Sequence, residues 1–426
     1  MTQLLKAREG IITQEMEEVA KREGLAAELI RKEVAAGKIV IPKNKKRGSS
    51  LSQGFGKGLK TKVSTSVGLY EDYTDLETEL EKIDLAVELG TDAIMDLSKD
   101  GNIDQARREV LAKTDLPVGT LPIYQAAKES EEKRGSILDM TVDDMFAVVE
   151  KQAADGVDFI GVHAGLTLNV LERLKIEGRI EGLVSHGGQI LAGWMLHHGQ
   201  ENPFYKEYDR LLEITKEYDV TISLADTFRP GAIEDSLDRA QVQELIVLGE
   251  LVNRGQQAGV QMMVKGPGHV PLDQIESTVQ LQKEICHGAP YFVFGPLVTD
   301  LATGEDDINS AIGGAFAASA GADFLCYVTP VEHLDFPTTE DIKAGVMAAK
   351  IAAQVGDLSK GREDAWEQEE KMAYARKRLD WEAEIELSLN PAEARRMREK
   401  SNPGDGDGCA MCGEYCAIKV VTQHLN

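Results

Sequence analysis

Three cysteines near the C-terminus have a spacing that suits a metal centre. Cys409, Cys412 and Cys416 form a C-x2-C-x3-C pattern within the run GDGDGCAMCGEYCAIK. Three thiolates this close together can hold one [4Fe-4S] cluster, in which one iron has no protein ligand and is open to a substrate. Two other interpretations remain open: a zinc site that His424 completes, and a flexible, redox-labile tail.

Chemically reactive side chains also lie at or near the ends of a series of short apolar runs. They are Ser66, Met95, Asp96, Tyr124, His163, Ser185, His186, Asp226, Arg229, Lys265, His269 and His333. If these runs are parallel strands, their carboxyl ends open on one face, where barrel enzymes build their active sites. The sequence therefore predicts one pocket that collects residues from most of the chain.

An alternation of strands and helices must position these residues. The nine candidate strands are Ser64–Leu69, Ala93–Leu97, Val118–Ile123, Phe159–His163, Gly182–Ser185, Thr221–Ala225, Val260–Val264, Tyr291–Phe294 and Phe324–Val328. The helix-like stretches between them include Thr74–Leu89, Val142–Asp155, Glu207–Tyr218, Ile233–Ala258 and Leu272–Cys286. This alternation predicts an α/β fold, a (βα)8 TIM-type barrel, with one candidate strand too many.

Segments of different character flank the predicted barrel, which spans residues 63–336. Residues 1–62 combine a helical segment with a basic loop rich in Gly and Ser. We interpret this loop as solvated, and contact with an anion is the alternative. Residues 337–400 predict a helical domain with helices Ile342–Leu358, Glu363–Ser388 and Ala392–Lys400, and residues 401–426 form a cluster-binding tail on a Gly- and Asp-rich hinge.

The composition narrows the classes of function. The chain has 426 residues and a net charge of −25, which argues against nucleic acid or an anionic membrane as the main partner. The N-terminus has charges where a signal peptide needs an apolar run, and no segment is apolar enough to span a membrane. With its cysteines clustered at one end, the chain indicates a reducing cytoplasm and two buried thiols, Cys286 and Cys326.

Six motifs together resemble the thiamin pyrimidine synthase family of radical S-adenosylmethionine (SAM) enzymes. They are SHGGQ, SLADTFRPG, KGPGHVP, FGPLVTD, CYVTPVEHL and CAMCGEYCAIK, in the family's order from about Lys60 to the tail. The resemblance implies a (βα)8 barrel, a helical C-terminal domain and a homodimer whose cluster arm crosses to the other subunit. It also implies that Cys409, Cys412 and Cys416 hold a [4Fe-4S] cluster, which binds SAM and takes its electron from an external donor.

The resemblance also implies a mononuclear metal and a substrate. His269 in GPGHVP and His333 in VEHL match the family's metal ligands, for zinc or alternatively iron or cobalt. The implied substrate is 5-aminoimidazole ribotide, a phosphate ester. Matching substrate-binding positions are Ser66, Met95, Tyr124, His163, Ser185, His186, Gly187, Asp226, Thr227, Phe228, Arg229, Lys265 and Phe292. Among them, His163, Asp226 and Lys265 are the candidate catalytic residues.

The chain departs from the thiamin pattern inside this predicted pocket. The thiamin enzymes have N-A-N-I-G at Ser64–Gly68, G-D-G-L-R from residue 225 where this chain has A-D-T-F-R, Arg at His186, Glu at Lys265 and Tyr at Phe292. Metal and cluster ligands are kept while substrate contacts change. This pattern favours the paralogous branch that makes 5-hydroxybenzimidazole, with formate, for anaerobic cobamide synthesis.

Three alternatives remain. The first is phosphomethylpyrimidine synthesis for thiamin from the same substrate. The second is an aldolase-type barrel with Lys265 as a Schiff-base lysine. The third is a non-enzymatic barrel with a zinc-stabilised docking tail.

Overall fold

The computed structural model describes residues 1–48, 50–73, 75–401, 411–412 and 415–420. The chain divides into two compact units, Met1–Gly356 and Asp357–Asn426. Cys409 and His424 lie outside the described residues.

A closed barrel of eight parallel strands forms the centre of the first unit. In chain order they are β3 Lys62–Val67, β4 Ala93–Asp96, β5 Val118–Thr120, β6 Phe159–Val162, β7 Thr221–Ala225, β8 Met262–Lys265, β9 Tyr291–Phe294 and β10 Phe324–Cys326, and two short strands precede them, β1 Ile39–Val40 and β2 Phe55–Gly56. Each barrel strand pairs with the next, and β10 pairs with β3. The prediction of a (βα)8 fold is confirmed. The strands are buried nearly throughout, as parallel strands covered by helices must be.

Eight of the nine candidate strands correspond to barrel strands, and Gly182–Ser185 does not. Gly182 has a φ of 60°, in the left-handed region, which breaks an extended chain. Ser185 is the N-cap residue of the following helix. A predicted strand end is also wrong at Val118–Ile123, because Pro122 begins a helix directly after β5.

Helices surround the barrel in the first unit. They are α4 Leu76–Glu88, α5 Ile103–Lys113, α6 Pro122–Arg134, α7 Val142–Asp155, α8 Leu168–Glu177, α9 His186–His198, α10 Pro203–Lys206, α11 Tyr208–Tyr218, α12 Arg239–Ala258, α13 Ile275–Ile285 and α14 Asp306–Ala320, after α1 Gln3–Arg8, α2 Gln14–Glu23 and α3 Ala27–Ala35. Short 3-10 turns span Ile137–Asp139, Ile233–Asp235 and Leu272–Gln274.

The helix predicted over Ile233–Ala258 begins later than expected. The side chain of Asp238 accepts a hydrogen bond from the Gln241 amide at 2.7 Å, which makes Asp238 the N-cap residue of α12. The residues before it form a 3-10 turn and a loop. The helix predicted over Val142–Asp155 is confirmed to the residue, and Thr141 caps it reciprocally with Asp144.

The C-terminal helices are α15 Thr339–Ser359, α16 Glu363–Arg378, α17 Trp381–Leu387 and α18 Pro391–Ser401. The single helix predicted over Glu363–Ser388 is therefore two helices. Leu379 has a φ of 56°, which ends α16, and the Asp380 side chain caps α17 through the Ala383 amide at 3.2 Å. Within the second unit, the Arg398 guanidinium lies 3.9 Å from the Trp381 ring centroid.

The N-terminal segment packs at the amino ends of the barrel strands. Lys62, the first residue of β3, forms an ion pair at 2.5 Å with Glu23 of α2, and their side chains are 4% and 3% exposed. Phe55 of β2 packs on Phe324, the first residue of β10, with ring centroids 4.6 Å apart. An aromatic ring and a neutralised charge thus cover this end of the barrel.

Three aspartates tie the amino ends of neighbouring strands together. Asp92, Asp158 and Asp323 each stand one residue before a strand, after a Gly-x pair. Their carboxylates accept backbone N–H groups of the preceding strand, from Val63 at 2.9 Å, Val118 at 2.9 Å and Tyr291 at 2.8 Å. These bonds satisfy strand-end donors that would otherwise be buried without an acceptor.

The basic loop binds the fold rather than solvent. Arg47 is 9% exposed, pairs with Asp158 and donates to the Leu116 carbonyl at 2.7 Å. Lys45 donates to the carbonyls of Lys216 and Glu217 at 3.1 and 2.6 Å. The solvated interpretation is therefore wrong for Arg47. Its position at the amino ends of β5 and β6 places it opposite the face where the candidate site residues lie.

Asp158→Asn tests this anchoring of the strand ends. Asp158 is fully buried and accepts the Val118 amide, the Asn44 amide at 3.0 Å and Arg47. The amide leaves Arg47 as an uncompensated buried charge, so we expect the free energy of unfolding to fall by about 3 kcal/mol. Urea denaturation measures it. Asp139→Asn, at an exposed position, is the control, and an equal small effect of both changes would contradict this role.

Candidate functional site

Most of the predicted site residues lie at or just beyond the carboxyl ends of the barrel strands, and Phe292 lies deeper in the barrel. Ser66 lies in β3, Met95 in β4 and Phe292 in β9, and Lys265 ends β8. His163 directly follows β6, and Asp226, Thr227, Phe228 and Arg229 follow β7. Tyr124 lies in the first turn of α6, and Ser185, His186 and Gly187 form the start of α9. Since these strand ends face one side of a closed barrel, the fold can bring these residues to one pocket.

The start of α9 packs directly on the end of β6. The His163 Nε2 atom lies 2.7 Å from the Ser185 hydroxyl, and both side chains are buried. A Cβ at Gly187 would lie 2.6 Å from His163 Cε1, so glycine is required for this approach. The run SHGGQ therefore forms a close contact between α9 and the end of β6. The strand predicted over Gly182–Ser185 did not anticipate this contact.

His163 is neutral at physiological pH. Burial lowers its pKa to about 3, and the nearby charges of Arg229 and Lys265 and the His186 ring act in the same direction. A neutral imidazole can exchange a hydrogen bond with Ser185 but carries no charge. The role of His163 in moving a proton stays a prediction.

The segment after β7 is held by a residue that the sequence analysis missed. Glu244 of α12 is 1% exposed, and its two carboxylate oxygens accept the amides of Thr227 at 2.9 Å and Phe228 at 2.8 Å. Burial and the neighbouring Asp226 raise the pKa of Glu244 to about 8. Its sequence signal was an acidic residue on a buried helix stripe that includes Gln241, Leu248 and Leu251.

Asp226 carries an unpaired acceptor within the site. Its Oδ1 atom is buried and has no hydrogen-bond partner among the residues that the structure describes. Burial raises the Asp226 pKa to about 6, against the effect of Arg229 and Lys265. A Cβ at Gly266 would lie 2.4 Å from Asp226 Oδ2, so the backbone after β8 closes on this carboxylate. Such an acceptor suits a ligand hydroxyl, the role predicted for Asp226.

Lys265 sits on an aromatic stack inside the barrel. Its ammonium lies 4.7 Å from the Phe292 ring centroid, and Phe292 stacks on Phe324 at 4.0 Å. Burial lowers the pKa of Lys265, the charge of Arg229 adds to this, and Cys326 and Asp226 oppose it. With Phe55 beyond Phe324, the stack runs from the amino end of the barrel to the site.

A cavity of about 430 Å³ opens beside Tyr124 and His186. Their rings are 5.3 Å apart, and Lys99 lies 5.1 Å from the Tyr124 centroid. Lys99 also lines the cavity and was missed by the sequence analysis, although it follows the end of β4 by three residues. Attention to residues slightly beyond a strand end would have found it.

The two candidate metal ligands differ in surroundings. The His269 Nδ1 atom lies 2.8 Å from Asp300 Oδ1, within hydrogen-bond distance, which leaves Nε2 for another partner. Histidines that bind metals commonly have one ring nitrogen oriented by a carboxylate in this way. His333 is exposed and has a φ of 61°. No group of three or more His, Cys, Asp and Glu side chains converges as a metal site within the described ranges. The donor chemistry of two imidazoles suits zinc, iron or cobalt, and the metal site stays a prediction.

The cysteine tail is described only in part. Cys412 is exposed and Cys416 is buried, and the Tyr415 amide donates to the Cys412 carbonyl at 2.9 Å. Cys409 and the zinc alternative's His424 lie outside the described residues. The predicted buried thiols Cys286 and Cys326 are confirmed. Thiols suit an iron–sulfur cluster, so the donor set fits as far as it is described.

Comparison with known proteins identifies relatives over the whole chain. The model of the Radical SAM ThiC family matches residues 2–423. A phosphomethylpyrimidine synthase from Desulforamulus reducens is 55% identical over 425 residues, which cover 100% of this chain and 98% of that protein. Two Moorella thermoacetica proteins are each 54% identical at the same coverage, a phosphomethylpyrimidine synthase and the 5-hydroxybenzimidazole synthase BzaA. Separately, no described helix has the length and apolar character needed to cross a membrane.

Glu244→Gln tests the support of the loop after β7. The amide can accept only one of the two N–H groups, so one buried donor loses its acceptor. We expect the free energy of unfolding to fall by about 1–3 kcal/mol in urea denaturation. Glu250→Gln, exposed on the same helix, should change it by less than about 0.5 kcal/mol. Equal effects at both positions would show that Glu244 does not hold the loop.

The protonation state of His163 gives a second prediction. With a pKa near 3, far below the ordinary 6.5, its ring should stay neutral down to about pH 5. Between pH 6.5 and about 3 the unfolded chain binds a proton at this residue and the folded chain does not. Lowering the pH through this range therefore reduces the contribution of His163 to the free energy of unfolding. Nitrogen-15 NMR of labelled histidines measures it, with His163→Gln to assign the signal. A titration midpoint above 6 would contradict the burial argument.

Proposed function

The chain belongs to the radical SAM ThiC family, and we propose that it converts 5-aminoimidazole ribotide to 5-hydroxybenzimidazole. The further products are formate, phosphate and ammonium, with methionine and 5′-deoxyadenosine from SAM. Family membership implies a [4Fe-4S] cluster and SAM. We propose Cys409, Cys412 and Cys416 as the cluster ligands, and His269 and His333 as ligands of a divalent metal. When bound, the cluster supplies the electron that cleaves SAM.

The proposed product rests mainly on one observation, the contact between the Lys265 ammonium and the Phe292 ring in the barrel. The ammonium lies 4.7 Å from the ring centroid, in the part of the site that also holds Asp226 and Arg229. The thiamin pattern has a carboxylate and a phenol at these two positions. A cation over an apolar ring changes both the charge and the hydrogen bonding that an intermediate would meet, which supports a different product from the same substrate.

The other groups of the site have proposed roles that follow from their surroundings. The unpaired Oδ1 atom of Asp226 accepts a ribose hydroxyl. Arg229 and the backbone at Ser185 and Gly187 bind anionic oxygens, because guanidinium and amide N–H groups are directed donors. Lys265, with its lowered pKa, can hold or release a proton during the rearrangement.

A second candidate is phosphomethylpyrimidine synthesis for thiamin. Relatives with that name are 53–55% identical over the whole chain, and the benzimidazole relative, at 54%, falls within that range. Both candidates start from the same ribotide. The aldolase and docking-tail alternatives lose support, since a radical SAM family match over residues 2–423 includes the cysteine tail. The homodimer with a crossing cluster arm, the external electron donor and the cytoplasmic location stay predictions.

A product assay tests the proposal. The protein is reconstituted without oxygen, supplied with 5-aminoimidazole ribotide, SAM and a reductant, and the mixture is analysed by mass spectrometry. We expect 5-hydroxybenzimidazole and formate. Cys412→Ala, with its fold checked by circular dichroism, should form neither these nor 5′-deoxyadenosine, because it lacks a cluster ligand.

Two outcomes would change the conclusion. Hydroxymethylpyrimidine phosphate as the product would move the chain to the thiamin candidate. Deoxyadenosine without either product would leave radical chemistry in place and refute the substrate.

A further inference from the structure

Three cations of the candidate site rest on aromatic rings rather than on carboxylates. Lys99 lies 5.1 Å from the Tyr124 centroid, Arg229 lies 5.2 Å from that of Phe294, and Lys265 lies 4.7 Å from that of Phe292. Among the described residues, none of the three forms an ion pair within 4.0 Å with a carboxylate. A ring face offsets part of the desolvation of a cation but leaves its N–H donors free.

This concentration of positive charge is unusual in a chain of net charge −25. Burial and Arg229 lower the pKa of Lys99, and burial and Lys99 lower the pKa of His186 to about 4. His186 and His163 are therefore neutral at pH 7. Lys99 is the basic side chain beside them, and an anion bound there would offset the repulsion between Lys99 and Arg229.

The cavity beside Lys99 has room for a small anion. It measures about 430 Å³, and Tyr124, His186, Tyr70 and Lys99 line it. A second lysine in its wall, Lys128, is already neutralised by Asp100 at 3.1 Å and Glu131 at 3.5 Å. Two further acids, Glu71 and Asp72, line it from exposed positions. Lys99 is thus the lysine of this wall that is available to a ligand.

We propose that Lys99 binds the phosphate group of the substrate. The ammonium donates to a phosphate monoester in the cavity that Lys99 lines together with the neighbouring Tyr124 and His186 rings. A charge-assisted contact with a dianion is among the strong hydrogen bonds available at such a site. The inference rests on the proposed function, because it takes a ribotide as the ligand.

Binding of two matched ligands tests this role without any turnover. Calorimetric titration of the full-length protein compares 5-aminoimidazole ribotide with its riboside, which lacks the phosphate, in the absence of SAM. We expect Lys99→Met to weaken ribotide binding by about 10–100-fold and to leave riboside binding unchanged. Lys99→Arg should recover most of the loss. Lys128→Met, whose lysine is paired in the same cavity, is the control and should bind both ligands as the unaltered protein does.

The outcomes separate this inference from the proposed function. An equal loss for ribotide and riboside in Lys99→Met, or an equal loss in Lys128→Met, would overturn the phosphate contact while the substrate proposal stands. If the unaltered protein binds neither ligand, the substrate proposal fails, and titration with inorganic phosphate decides the role of Lys99. Phosphate binding that is lost in Lys99→Met would support it, and binding that persists would refute it. Circular dichroism of each variant checks the fold.

Discussion

The barrel depends on how the amino ends of its strands are held. Asp92, Asp158 and Asp323 each accept a backbone N–H of the preceding strand, and Asp158 also pairs with the buried Arg47. Lys62 and Glu23 neutralise each other at the same end. Charge at this end is satisfied by the chain itself, whereas the opposite end holds cations that pack on aromatic rings and the Asp226 Oδ1 acceptor, which has no hydrogen-bond partner among the described residues. Stability and chemistry are thus separated along the barrel axis.

At the carboxyl end, glycines and aromatic rings surround the central charged groups of the site. Gly187 and Gly266 let backbone approach His163 and Asp226 more closely than a Cβ would allow. Lys265 is seated on a stack of Phe292 and Phe324. Because the cations pack on ring faces and the histidines are neutral, the N–H donors of the cations remain available to a ligand in the site. The arrangement is suited to an anionic ligand such as the proposed phosphate ester, even in a protein of net charge −25.

The similarity of the chain to two kinds of relative has a physical meaning. A phosphomethylpyrimidine synthase and BzaA from one organism are each 54% identical to it over the same 425 residues. Overall identity therefore does not distinguish the two kinds of relative. The proposed choice of product rests instead on individual side chains of the site. Lys265 and Phe292, whose ammonium and ring lie 4.7 Å apart, are the two on which the proposal of a benzimidazole product rests.

The sequence by itself determined the barrel, seven of whose strands lie close to their predicted positions, and it named the strand-end residues of the site. Fully buried apolar runs and capping residues determine structure over a few neighbouring residues, so strands and helix ends can be predicted from the sequence. The strand prediction failed at Gly182–Ser185, which has strand-like residues but finds no free strand edge in the closed barrel to pair with. The contacts made by Glu244 and Lys99 could be recognised only in the tertiary structure. Their roles arise from contacts with Thr227, Phe228 and Tyr124, residues distant in sequence, and the spacing along one chain does not encode which of its distant groups will meet.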